Sequence, residues 1–192
     1  KGFAAQLMGS VTSISLSPDG QGVMVGTEAC NRYFVTMRWE VELRATCHSG
    51  PVNDLCFPQD CSDLFLSCST SDIRIWNVNL RQELLRIQVP NLECKCIGIT
   101  PQGGTVVSGW TDGKIRAFFP ESGRLKFVIS NAHTEACTAL AVCNDNESSP
   151  PWRIVSGGDD GRVRIWNCTS SHQALVHSMK EHRAAVLCIR VL

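Results

Sequence analysis

Short apolar stretches of about five residues recur along this chain, each closed by residues that favour turns. "VTSISL" at 11–16 is followed by "SPDG", "CIGIT" at 96–100 by "PQGG", and "CTALAVC" at 137–143 by a polar loop. Several of these runs alternate apolar and polar positions, the period of a strand with one covered face. No window keeps an apolar face at a 3.6-residue spacing for three turns, so helix is not the competing reading. The pattern predicts an all-β chain of many short strands.

Laid against itself, the chain repeats. Residues 67–76 read "SCSTSDIRIW", 108–118 "SGWTDGKIRAF" and 156–166 "SGGDDGRVRIW". The last members, Trp76, Phe118 and Trp166, stand roughly 40 to 50 residues apart, the period of a repeat architecture. A second marker keeps the same rhythm: "HSGPVNDL" from His48, "HTEACTAL" from His133 and "HRAAVLCI" from His182 share one spacing of His to two apolar residues. Each unit then orders as His turn, strand, turn, strand with Ser, Asp-Gly turn, strand with Trp, loop and last strand. Four strands in about 40 to 45 residues make one blade of a β-propeller. On this ruler an atypical unit covers 1–47, and further units cover 48–91, 92–132 and 133–181. Residues 182–192 read as the start of a fifth blade. Four blades and a stub leave sheet edges unpaired, which predicts that the chain is an incomplete part of a longer propeller.

In the unit 133–181, His133, Ser156, Asp160 and Trp166 can be read as a catalytic triad with a neighbour or as a structural hydrogen-bond network. The network is the better reading. Ser and His recur with the repeat, which a nucleophile has no reason to do, and Ser156 lacks the G-x-S-x-G strand-to-helix turn of a nucleophile elbow. Indole N–H, hydroxyl, imidazole and carboxylate satisfy one another when buried, and an unsatisfied member costs roughly 1–3 kcal/mol. The unit 48–91 offers His48, Asp72 and Trp76, with a turn one residue short that reduces the reach of Asp72. The unit 92–132 keeps Ser108 and Asp112, but Phe118 has no donor and "VPNLECK" has no His. His182 opens the last unit. Only 133–181 is predicted to hold the whole set.

Asp112-Gly113 and Asp160-Gly161 read as tight hairpin turns in which Gly supplies a positive φ. No helix follows them, so a phosphate-cradling loop is excluded. Arg74, Arg116 and Arg164 recur at one place and read as packing stems rather than a basic groove.

Composition narrows the partners. The 192 residues hold 18 Lys and Arg against 18 Asp and Glu, a formal net charge of +0, so no global field favours nucleic acid or acidic lipid. No apolar run reaches the length of a membrane span. Nucleic acid, membrane and small-molecule substrate are therefore not expected as partners, and no cofactor is expected. The 11 Cys are odd in number and scattered, which points to reduced thiols rather than a disulfide framework. Cys94 and Cys96, two apart on a predicted strand, are expected to share a face and to pack as small apolar groups rather than hold metal. The loop "NDNESSPPW" at 144–152 is a candidate binding loop through Pro150, Pro151 and Trp152. Trp110, placed in a turn outside the Trp positions of the repeat, is a candidate exposed anchor, with a packed turn aromatic as the alternative.

The His turn, Ser-Gly, Asp-Gly and I-R-I-W or V-R-I-W of these units resemble the WD-repeat β-propeller family, most clearly over 48–192. The dipeptide that names the family stands here as Trp76-Asn77 and Trp166-Asn167. The resemblance implies a platform without catalysis. A narrower resemblance, to tandem-propeller WD proteins of ciliary axonemes, is carried by "RQELLRIQVPNLECKCI" at 81–97, "SGWTDGKIRAFFPESGRL" at 108–125 and "MKEH" at 179–182. It implies a cytoskeletal protein of cilium and flagellum, inside the B-tubule of doublet microtubules, with tubulin and other microtubule inner proteins as partners. The alternative is a soluble WD-repeat adaptor or substrate-receptor subunit of a larger complex.

Overall fold

The computed structural model describes residues 7, 9–17, 20–59, 61–144, 152–169 and 171–191. Among them the regular structure is all strand, in four antiparallel four-stranded sheets, each a simple meander. The first sheet holds β1 (Val11–Leu16), β2 (Gly22–Thr27), β3 (Asn31–Thr36) and β4 (Val41–Thr46). The second holds β5 (Asp54–Cys56), β6 (Leu64–Cys68), β7 (Asp72–Asn77) and β8 (Gln82–Gln88). The third holds β9 (Cys94–Ile99), β10 (Val106–Trp110), β11 (Ile115–Phe118) and β12 (Leu125–Ile129). The fourth holds β13 (Cys137–Asn144), β14 (Trp152–Gly158), β15 (Val163–Cys168) and β16 (Gln173–Met179). This is the all-β, blade-by-blade architecture that the strand and turn pattern predicts. The chain divides into two units, Lys1–Ser49 with the first sheet and Gly50–Leu192 with the other three.

Two Asp-Gly turns show why glycine stands there. Gly113 and Gly161 have φ of +73° and +69°, a hand that side chains resist. Each is also pressed by the backbone that opens the next unit. A Cβ on Gly161 would lie 2.6 Å from the His182 carbonyl oxygen, and one on Gly113 would run into that of His133. The His133 N–H in turn donates to the Gly113 carbonyl at 2.9 Å.

Within the larger unit the cores lie between successive sheets. One joins Leu66, Ile73 and Ile75 of the second sheet to Cys94, Ile97 and Trp110 of the third. The other joins Cys96, Val107 and Ile115 of the third to Cys137, Ile154 and Trp166 of the fourth. Cys94 and Cys96 thus belong to different cores, against the expectation that they share a face. The cause is a bulge: Gly109 pairs with Cys96 and Trp110 with Cys94, leaving Lys95 as an extra residue that breaks the two-residue alternation. All eleven cysteines are free thiols, and burial pushes the thiols of Cys56 and Cys168 up to about 12.

Hydrogen bonds from Asn53, just before β5, and from Thr138 of β13 tie these sheets to the segments beside them. Asn53 Nδ2 donates to the Cys94 carbonyl at 2.7 Å, and Thr138 Oγ1 donates to that of Val186 at 2.7 Å. Val186 N–H donates to Gly158, so this residue lies against the fourth sheet although the described residues of 182–191 form no strand. Space at the seam is tight. A Cβ on Gly109 would stand 2.5 Å from Cys96 Sγ and 2.6 Å from Cys137 Sγ, whereas one on Gly104 would meet nothing. Gly109→Ala is therefore expected to destabilise the protein by about 1–3 kcal/mol in urea unfolding, and Gly104→Ala to change stability by less than about 0.5 kcal/mol.

Candidate functional site

The second strand of each sheet in the larger unit places a serine opposite an arginine: Ser67 with Arg74, Ser108 with Arg116, Ser156 with Arg164. The aromatic residue two further along the third strand, Trp76, Phe118 or Trp166, shares that face. The three hydroxyls are buried, so each needs partners from its own neighbourhood.

In the fourth sheet the partners form one directed series. Trp166 Nε1–H donates to Ser156 Oγ at 3.1 Å, Ser156 Oγ lies 2.9 Å from His133 Nε2, and His133 Nδ1 lies 2.9 Å from Asp160 Oδ1. With the indole donating, the hydroxyl donates to Nε2, and a neutral ring carries its proton on Nδ1 toward the carboxylate. Arg164 closes the set by donating to Asp160 Oδ2 at 2.9 Å and to the Ala132 carbonyl at 2.8 Å. Burial holds the His133 pKa below the ordinary histidine value, outweighing the pull of Asp160, and the Arg164 charge acts in the same downward direction. Burial alone would raise Asp160, but hydrogen bonds from His133, Arg164 and the Arg162 N–H hold its carboxyl well below the usual range. The Ser-His-Asp order is that of a hydrolase triad, yet Ser156 is 0% exposed and its oxygen already accepts an indole N–H. A substrate has no approach to that hydroxyl; the series ties a turn to two strands.

The second sheet keeps part of the set. Trp76 Nε1–H donates to Ser67 Oγ at 2.8 Å. Asp72, at the start of β7, accepts from Arg74 Nε at 2.8 Å, and Arg74 is shared with Glu83 at 2.9 Å. His48 is half-buried and falls in the first unit.

The third sheet solves the same problem with a different residue. Trp110 was expected in a turn, as a candidate exposed anchor or a packed aromatic, but it ends β10 and is 0% exposed, with its Nε1–H donating to Ser108 Oγ at 2.8 Å. Its register position matches Gly158 of the fourth sheet, where an added Cβ would run into the His133 ring. The indole thus fills the space an imidazole takes in the next sheet, and Arg116 lies over it at 5.5 Å as Arg164 lies beside His133. Missing His and missing donor at Phe118 are compensated by one substitution. Asp112 keeps its place and takes Arg116 bidentately at 2.9 and 2.7 Å, which holds its carboxyl below the usual range.

Three further expectations are corrected or fall elsewhere. Trp152 is no exposed contact: it begins β14, is buried, and packs against Phe127 with ring centroids 6.1 Å apart. Pro150 and Pro151 lie outside the described residues. His182 is exposed, since among the described residues no serine-bearing strand follows it to enclose its ring. Sequence reading also missed the recurring Asp–Arg clamp, although Asp112 and Asp160 each stand four residues before their arginine. Among the described residues no group of three or more His, Cys, Asp or Glu is placed to hold a metal ion.

The WD domain, G-beta repeat, matches residues 41–77 and 124–167. This chain carries WD repeats. Each WD match starts on the fourth strand of one sheet and ends on the third strand of the next, and the two flank 78–123, where Trp110 replaces the histidine. The WD-repeat chain is 44% identical over 97% of its length to cilia- and flagella-associated protein 52 of Homo sapiens, and 45% identical over 95% to that of Chlamydomonas reinhardtii. It is 26% identical over 93% to WD repeat-containing protein 90 of Mus musculus. It spans 29% of the human and 30% of the Chlamydomonas cilia- and flagella-associated protein 52.

Ser156→Ala removes the oxygen shared by Trp166 and His133 and is expected to lower stability by about 1–3 kcal/mol in urea unfolding; Trp110→Phe should cost about 1 kcal/mol or more through Ser108. The pH response follows from His133. Its folded pKa is depressed, so its contribution is full above the unfolded value of about 6.5 and is lost as pH falls toward the folded value. Asp160, also depressed, adds a loss only below about 3.9. Thermal melting should therefore drop between pH 7.5 and 5.0, with a shallower drop in His133→Gln, whose side chain does not titrate.

Proposed function

We propose that this chain serves in a scaffold of cilia and flagella that performs no catalysis, seated inside the B-tubule of the doublet microtubule, where it binds tubulin and other microtubule inner proteins and stabilises the wall. The observation that carries the reading is the 44–45% identity, over nearly all of this chain, to proteins named for cilia and flagella in both Homo sapiens and Chlamydomonas reinhardtii. WD repeats supply stiff sheets with exposed turns, a form suited to holding partners. The internal chemistry agrees with a structural task, since the serine, histidine and carboxylate that resemble a reaction centre are consumed in holding one sheet together. A balanced formal charge gives no support to an electrostatic hold on nucleic acid or acidic membrane.

Fractionation of cilia carrying the tagged intact protein tests this. Retention in doublets after detergent and high-salt washes is the expected result. Recovery in the detergent-soluble pool would move the function to the soluble adaptor.

A further inference from the structure

We infer that the cleft between the second and third sheets is a docking site for a short peptide segment of a partner protein, one that presents two neighbouring aliphatic side chains beside a Lys or Arg. It has a volume of about 560 Å³, within the range of roughly 300–1,000 Å³ typical of ligand sites. Leu66, Ile75 and Ile99 line it together with the successive leucines Leu84 and Leu85.

Two successive residues of a strand normally point to opposite faces, and here a bulge brings both to the cleft. Ile75 pairs with Leu85 and Trp76 with Glu83, so Leu84 is the extra residue of β8. The third and fourth sheets carry the same bulge ahead of Phe118 and Trp166, and its residue is Lys126 in the third and Val176 in the fourth. Lys126 folds over Phe119 at 5.2 Å. Leu84 instead stays 51% exposed beside an open apolar cleft. An apolar side chain supplied from outside would bury Leu84 together with the cleft's aliphatic lining.

The lining also sets the chemistry of the occupant. Glu121 is the only formally charged residue among the described lining residues, with Gln59 and Gln102 as the side-chain amides. A carboxylate beside an apolar cleft attracts a cationic neighbour and repels the carboxylate of a fatty acid or the headgroup of an anionic lipid. The two amides offer donors and acceptors that suit a peptide backbone. A peptide with paired aliphatic residues and an adjacent base meets all three conditions.

The inference deepens the scaffold reading by naming one docking site, and its test in solution is independent of retention in cilia. Random peptides displayed on phage are selected on the intact purified protein, and the selected sequences are measured by fluorescence anisotropy. Expected are sequences with two aliphatic residues next to Lys or Arg, weakened at least tenfold by Leu84→Lys and by Glu121→Lys. Leu175→Lys, at an exposed position of β16, should leave binding unchanged. No selected sequence, selection without a basic residue, or equal binding by Leu84→Lys would overturn the site. Displacement of the peptide by palmitate would overturn it too, by showing that the cleft takes an acyl chain.

Discussion

A buried hydroxyl on the second strand of a sheet has to find its partners within a few ångströms, and the larger unit is organised around that demand. Ser67, Ser108 and Ser156 are each 2% exposed or less, and each accepts an indole N–H. Leaving one unmet would cost roughly 1–3 kcal/mol, a large share of the stability of a domain this size. The residues recruited to meet it fix the fold beyond the sheet. His133 belongs to the turn after β12 and its N–H bonds the Gly113 carbonyl of the third sheet, so bonding Ser156 also sets the entry of the fourth sheet against the third.

The sheets meet the demand in different ways, and the differences follow from the rule that both partners of a buried bond have to be kept or lost together. The fourth sheet keeps the full series through His133. The third loses the histidine and the third-strand indole and regains a donor with Trp110. The first sheet abandons the polar set: Val25 stands at the serine position, Tyr33 at the arginine position and Val35 at the tryptophan position, all in its apolar core. Such exchanges suit a protein whose repeats provide shape and stiffness. A reaction centre would not tolerate them, because its groups act only as a set.

Much of this was legible in the sequence, for a local reason. Turns written as Asp-Gly or Pro-Gln-Gly-Gly and strands of about five residues are decided by near neighbours, and the repeat multiplied the signal. The series His133, Ser156, Asp160 and Trp166 was readable because the same spacing appears in neighbouring units. Trp110 was not, since its placement depends on the absence of an imidazole contributed by another segment. The separation of Cys94 from Cys96 was hidden by the bulge at Lys95, and the burial of Trp152 depends on Phe127 in the preceding sheet. The Asp–Arg clamps had a visible signal in their four-residue spacing, but a bland reading of the arginines as stems passed over it.

Hydrogen exchange of the indole N–H groups, read by NMR on the intact protein with labelled tryptophan, tests the central claim most directly. If the indoles are the donors that satisfy the buried serines, Trp76, Trp110 and Trp166 exchange about a hundredfold or more slowly than the exposed Trp39. Exchange of Trp110 as fast as that of Trp39 would contradict the account, because Ser108 would then have no buried indole to meet its need.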